Sequence, residues 1–145
     1  MYIKRTTDMK DIIRLVPIEV KLREKEKSPI RAQELLDYVQ SQLNNPLFYA
    51  VIVYEDETER VITGYMFLLA ITIRIMGMKQ VVVIRVWYDH KQDKKVMRDI
   101  GMDIIRTVAS NHGIKKVKIE VQRGAKVYER IWGFKPVSTV LERRL

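Results

Sequence analysis

The chain has no cysteine, which excludes disulfide scaffolds, thiolate zinc sites and a cysteine nucleophile. Histidine is nearly as scarce: His90 and His112 lie far apart without a supporting carboxylate cluster, and no metal site is expected. With 6 glycines and 4 prolines, no Gly- or Pro-rich linker divides the 145 residues, so a single domain over 1–145 is expected. Long apolar runs are missing too. Val61 to Ile73 falls well short of the roughly 18 apolar residues a membrane span needs, and the segment Met1 to Asp8 lacks the apolar stretch of a secretion signal. The expectation is a soluble cytoplasmic protein without a membrane partner. Acidic residues are the remaining shortage: 18 against 27 Lys and Arg, for a net charge of +9. A basic surplus favours nucleic acid, phosphorylated cofactors or acidic surfaces without choosing among them. The hydrophobic fraction of 47% is too high for a disordered chain.

What is present is a change of period along the chain. Tyr2 to Thr6 reads as a short strand, and Asp8 opens a helical pattern through Ile12, Ile13, Leu15 and Val16. Pro17 is expected to kink or end that helix. The mixed charges of Glu19 to Lys27 read as a solvated helix end and linker. Ser28-Pro29 then supplies an N-cap and a first-turn proline for a helix carrying Ile30, Leu35, Leu36, Val39 and Leu43, which Asn44-Asn45-Pro46 stops. Phe48 to Tyr54 and Val61 to Ile73 read as a hairpin. Val81 to Tyr88 follows as a central strand buried on both faces. Met97, Ile100, Ile104, Ile105 and Val108 mark a helix ending near Gly113, and Lys116 to Gln122 alternates as a strand. A short helix over Ala125 to Trp132 and a last strand over Pro136 to Leu141 complete the order β-α-α-β-β-β-α-β-α-β. The strand–helix–strand unit from Val81 to Val121 implies a parallel pair with a right-handed crossover, set beside an antiparallel hairpin.

Three stretches resemble the Gcn5-related N-acetyltransferase family over the whole chain. They are Ile3 to Asp11, the strand Ile62-Thr63-Gly64-Tyr65, and above all Val121 to Phe134, where Ala125 and Gly133-Phe134 fall in register and Gln122 takes a position usually held by asparagine. The resemblance implies an α/β (α+β) fold with a mixed, mostly antiparallel sheet flanked by helices. It implies transfer of an acyl group, most simply acetyl, from coenzyme A to an amine of a small molecule or protein. Backbone amides ending the strand Val86-Trp87-Tyr88 would face the cofactor, with Trp87 and Tyr88 as contacts. Lys94, Lys95, Val96, Met97 and Arg98, at the start of the following helix, would meet its phosphates. Tyr128 or Glu129 would protonate the departing thiolate, and no metal is implied.

The sequence departs from the family where the phosphates would sit. The usual glycine-rich loop falls on Asp93-Lys94-Lys95-Val96-Met97-Arg98, which has no glycine. A β-branched Val96 obstructs close approach of phosphate to backbone, and Asp93 repels it; Lys91, Lys94, Lys95 and Arg98 offer side-chain charge instead. Tyr128 stands one residue before the family's tyrosine position, about 100° of helical rotation away, and Glu129 occupies that position. Two other readings stay open. One is a catalytically inactive binding or structural protein that has lost coenzyme A affinity. The other is a nucleic-acid-binding module, for which Arg85-Val86-Trp87-Tyr88 interleaves basic and aromatic residues without a recognised motif. The acceptor amine and the oligomeric state are not encoded in any motif.

Overall fold

A computed structural model describes residues 1–26, 31–73, 75, 77–119, 133–135 and 143. Strand β1 (Tyr2–Thr6) leads into helices α1 (Met9–Ile13), α2 (Val16–Glu26) and α3 (Ala32–Gln42). Strands β2 (Phe48–Tyr54), β3 (Ile62–Ile73) and β4 (Met78–Tyr88) follow, then helix α4 (Lys94–Asn111) and strand β5 (Val117–Ile119). The described strands form one sheet in the order β1-β2-β3-β4-β5. Neighbours are antiparallel up to β4, and β4 pairs with β5 in parallel. The parallel pair joined across α4 is the one the periodicity required.

The sheet divides two cores. On one face α4 packs Met97, Ile104, Ile105 and Val108 against Val51, Met66, Val81 and Val83. On the other, α1 and α3 set Ile12, Leu36 and Val39 against Ile52, Tyr65 and Phe67. Gly113 takes a left-handed φ of 63° just beyond α4, as a glycine C-cap should.

Several expectations are corrected. The break between α1 and α2 falls at Arg14-Leu15, and Pro17 lies in the first turn of α2, not at the end of a helix. Proline suits that turn because its missing N–H would have no partner inside the helix. The run from Glu19 is consequently helical, and Glu19 is fully buried instead of solvated. The order therefore gains a third helix before β2. Helix α3 starts at Ala32 after an extended Arg31; Ser28-Pro29 lies outside the described residues, as do the helix expected over Ala125 to Trp132 and the strand over Pro136 to Leu141. On β4, Val81 and Val83 are buried but Val82 and Ile84 only half-buried, so its burial is less symmetric than the unbroken apolar run suggests.

Candidate active site

The pairing of β3 with β4 carries one irregularity. Register runs Gly64↔Tyr88, Tyr65↔Trp87, Met66↔Val86 and Phe67↔Arg85, then shifts so that Leu68 faces Val83. Ile84 is the extra residue of a β-bulge. Ile84 and Trp87 pack into the core under α1 and α3, while Val83, Val86 and Tyr88 face α4. The bulge also reverses which amides face β5. Val81 N–H donates to the Lys116 carbonyl at 3.0 Å, so above the bulge the odd-numbered residues point that way. Below it, Asp89 N–H donates to the Thr63 carbonyl of the β3 side at 2.8 Å. Hydrogen-bonded pairs alternate along an antiparallel ladder, so Trp87 also turns its amide to β3. Val86 and Tyr88 turn theirs away. The described part of β5 ends at Ile119, opposite Val83, so no described strand accepts from them.

Beside these amides the wall is unusually close. A Cβ on Gly64 would stand 2.9 Å from the Trp87 carbonyl oxygen and 3.1 Å from Met97 Cε. Glycine at this position lets β3, β4 and the start of α4 meet. The cleft between β4 and α4 is lined by Gly64, Val86, Tyr88, Met97, Ile100 and Gly101.

Helix α4 opens with its own anion. The Asp93 carboxylate accepts from Val96 N–H at 3.0 Å, as an N-cap. Lys94, Lys95 and Val96 are exposed. Met97 turns into the core at 4% exposure, and Arg98 lies 3.6 Å from Asp99. Val96 thus has its amide occupied from within the chain, which adds to the steric obstruction its side chain presents. Among the described residues no three His, Asp or Glu side chains could hold a metal ion. His112 instead shares a 2.7 Å hydrogen bond with the Tyr49 hydroxyl. No helix of the described residues is long and apolar enough to cross a membrane.

Across the sheet lies a charged centre that sequence reasoning missed. Glu19, from the first turn of α2, accepts from the Tyr65 hydroxyl of β3 and, at 2.9 Å, from Arg85 Nε of β4. Its other oxygen lies 3.4 Å from Arg23 Nε, one helical turn on. Burial and the Glu19 charge push the Tyr65 phenol well above its ordinary range. Arg85 therefore turns into the α2 face and Trp87 lies against Tyr65, ring centroids 5.4 Å apart. The run Arg85 to Tyr88 does not spread its basic and aromatic side chains over one face. A signal for Glu19 was available: Val16-Pro17 also reads as a helix start, which places Leu15, Glu19 and Arg23 on one helix side.

Of the residues singled out in the sequence, the fold brings Trp87, Tyr88, Lys94, Lys95, Val96, Met97 and Arg98 to one end of β4 and α4. Trp87 joins them through its carbonyl, with its side chain on the opposite face. Gln122, Tyr128 and Glu129 lie outside the described residues.

No family model matches the sequence, and no curated protein matches it. Solved structures do. A predicted acetyltransferase from Clostridium acetobutylicum, solved with acetyl-CoA, is 20% identical at a TM-score of 0.75, covering 99% of this chain and 95% of that one. A ribosomal-protein-alanine N-acetyltransferase from Brucella melitensis is 16% identical at a TM-score of 0.68, with 99% and 100% covered. Glucosamine-6-phosphate N-acetyltransferase from Arabidopsis thaliana is 12% identical at a TM-score of 0.65, with 99% and 97% covered. Similarity this complete at identities this low concerns architecture, and the architecture is that of the Gcn5-related N-acetyltransferases.

Proposed function

We propose that the chain is an N-acyltransferase that moves an acetyl group from coenzyme A to an amine. The observation that carries this reading is the pair of amides at Val86 and Tyr88, turned away from β3 beside the start of α4. The fold, shared with a protein solved with acetyl-CoA, supports the choice of co-substrate. In such a transfer the amine nitrogen attacks the thioester carbon, the C–S bond breaks and the amide forms. Negative charge gathers on the carbonyl oxygen on the way, and each oriented backbone donor contributes about 2.7–4 kcal/mol to holding it. The amine sheds a proton and the thiolate gains one. Tyr128 or Glu129 is assigned the second transfer, and Gln122 a contact to the cofactor. Lys94, Lys95 and Arg98 supply positive charge for the phosphates, in place of the amide that Asp93 already caps.

Calorimetric titration with acetyl-coenzyme A and desulfo-coenzyme A, followed by thermal melting, tests the reading. Ligand at 100 times its dissociation constant is expected to add about 2.7 kcal/mol of stability. Affinity falls steeply with added salt, since exposed charges are screened over about 8 Å at physiological ionic strength. Val96→Gly and Asp93→Asn both tighten binding, while replacing Lys94 and Lys95 with alanine weakens it. A melting temperature unmoved by millimolar ligand overturns the proposal in favour of an inactive binding protein on the same fold. The Asp93 cap, already seated where an anion would bind, is the observation on that side.

A further inference from the structure

Among the described residues, Glu19 is the buried charged side chain, and the proposed transfer gives it no role. It cannot be assigned as the base for the amine, because the Tyr65 hydroxyl and two guanidinium groups already engage its oxygens. Its partners point to another role. Arg85 directly follows the bulged Ile84, and Tyr65 pairs with Trp87 just beyond the bulge. One carboxylate therefore ties α2 to both strands at the place where β4 changes phase.

A bulge leaves one residue unpaired and weakens the ladder around it, so something must favour it over the continuous register. Here the two registers differ in where a guanidinium goes. Continuous pairing through position 84 would swing Arg85 to the α4 face, among Val83, Met97 and Ile104, where burying an unpaired charge is costly. The bulged register delivers it to Glu19. We infer that Glu19 is a positioning residue: through Arg85 it holds the bulge, and with it the outward turn of the Val86 and Tyr88 amides. Its bearing on catalysis rests on the acyl-transfer reading, whereas its hold on the strand does not.

Three variants test this: Glu19→Gln, Arg85→Met, and the apolar pair Glu19→Leu with Arg85→Met. Native-state hydrogen exchange is read at Trp87 and Asp89, whose amides turn to β3, with Ile52 and Val83 as references. Exchange at Trp87 and Asp89 is expected to rise about tenfold in each variant while the references stay unchanged. Desulfo-coenzyme A affinity is expected to fall by about tenfold, because loss of geometry is lost binding. The apolar pair removes the Glu19–Arg85 charge pair but also takes the Glu19 carboxylate from the Tyr65 hydroxyl and Arg23, so it melts below the parent and still shows both effects. Two results overturn the inference: exchange that rises evenly at all four amides in step with the melting temperature, or an apolar pair that recovers parental exchange at Trp87 and Asp89. Failure of the parent to bind desulfo-coenzyme A would refute the transfer reading alone, and the exchange ratio would still decide the role of Glu19.

Discussion

The two faces of the sheet hold the same strands by different means. Toward α4 the contacts are mostly apolar, with Val51, Met66, Val83 and Met97 filling space without any required direction and one polar link, Tyr49 to His112, at the end of the helix. Toward α2 and α3 the packing is a row of rings. Phe48, Phe67, Tyr65 and Trp87 follow one another at centroid distances of 6.3, 5.5 and 5.4 Å, and within the row the Tyr65 hydroxyl meets the buried carboxylate of Glu19. An apolar face accepts several registers at similar cost, since dispersion and burial are nearly non-directional. A face with a charge pair inside it accepts few. The directional face therefore specifies the strand, and it also holds most of the largest fully buried side chains among the described residues, Tyr54, Tyr65 and Phe67 included.

Breaking the directional face should produce the largest loss. Glu19→Leu alone removes the carboxylate shared by Tyr65, Arg23 and Arg85 and is expected to cost about 3–5 kcal/mol in urea unfolding, part of it recovered when Arg85→Met is added. Tyr65→Phe removes a hydrogen bond to a charged acceptor, for about 1.5–3 kcal/mol. Tyr65 also predicts an alkaline limb. Its raised pKa means the folded state keeps the proton longer than the unfolded one. Stability is then full below the unfolded phenol value and falls as pH rises past about 10. In the Phe variant the unfolding free energy should decline less over that range. A pH titration of denaturant midpoints reads both.

On the apolar side the effects are smaller. Gly64→Ala places a methyl 2.9 Å from a backbone oxygen that cannot rotate away, and a cost of about 1–3 kcal/mol is expected, with weakened desulfo-coenzyme A binding. Trimming Met97 to relieve the second contact should not restore it. Smallest is Asp93→Ala, which removes the cap of α4 for about 1 kcal/mol. Asp93→Asn keeps the cap, so equal stability in that variant would separate capping from charge.

The faces also differ in how far they can be read from sequence. The α4 core was legible because Met97, Ile100, Ile104, Ile105 and Val108 repeat at helical spacing and the strands alternate or run apolar. The parallel pair followed from that order. The glycine-free start of α4 at Asp93 to Arg98 was legible too, although the side chain bond from Asp93 to the Val96 amide was not. Glu19 escaped because a charge pattern carries no sign of burial. Its partners, Tyr65 and Arg85, are 46 and 66 residues away along the chain. The bulge escaped for a related reason: Val81 to Ile84 is an unbroken apolar run, so an extra residue at its end leaves no gap in the pattern.

That extra residue makes β4 behave as two wave trains half a wavelength apart. Upstream of Ile84 the side chains facing α4 are odd-numbered, as at Val81 and Val83; downstream they are even-numbered, as at Val86 and Tyr88. Pairing Ile84 continuously, without the bulge, would interchange inside and outside for the whole downstream segment without altering its composition. Substitutions on either side of Ile84 therefore follow opposite parity rules, and a pairwise alignment that slips by one position across it compares core residues with the wrong face. A short insertion of this kind preserves the shape of a fold while eroding the positional identity by which sequences are matched.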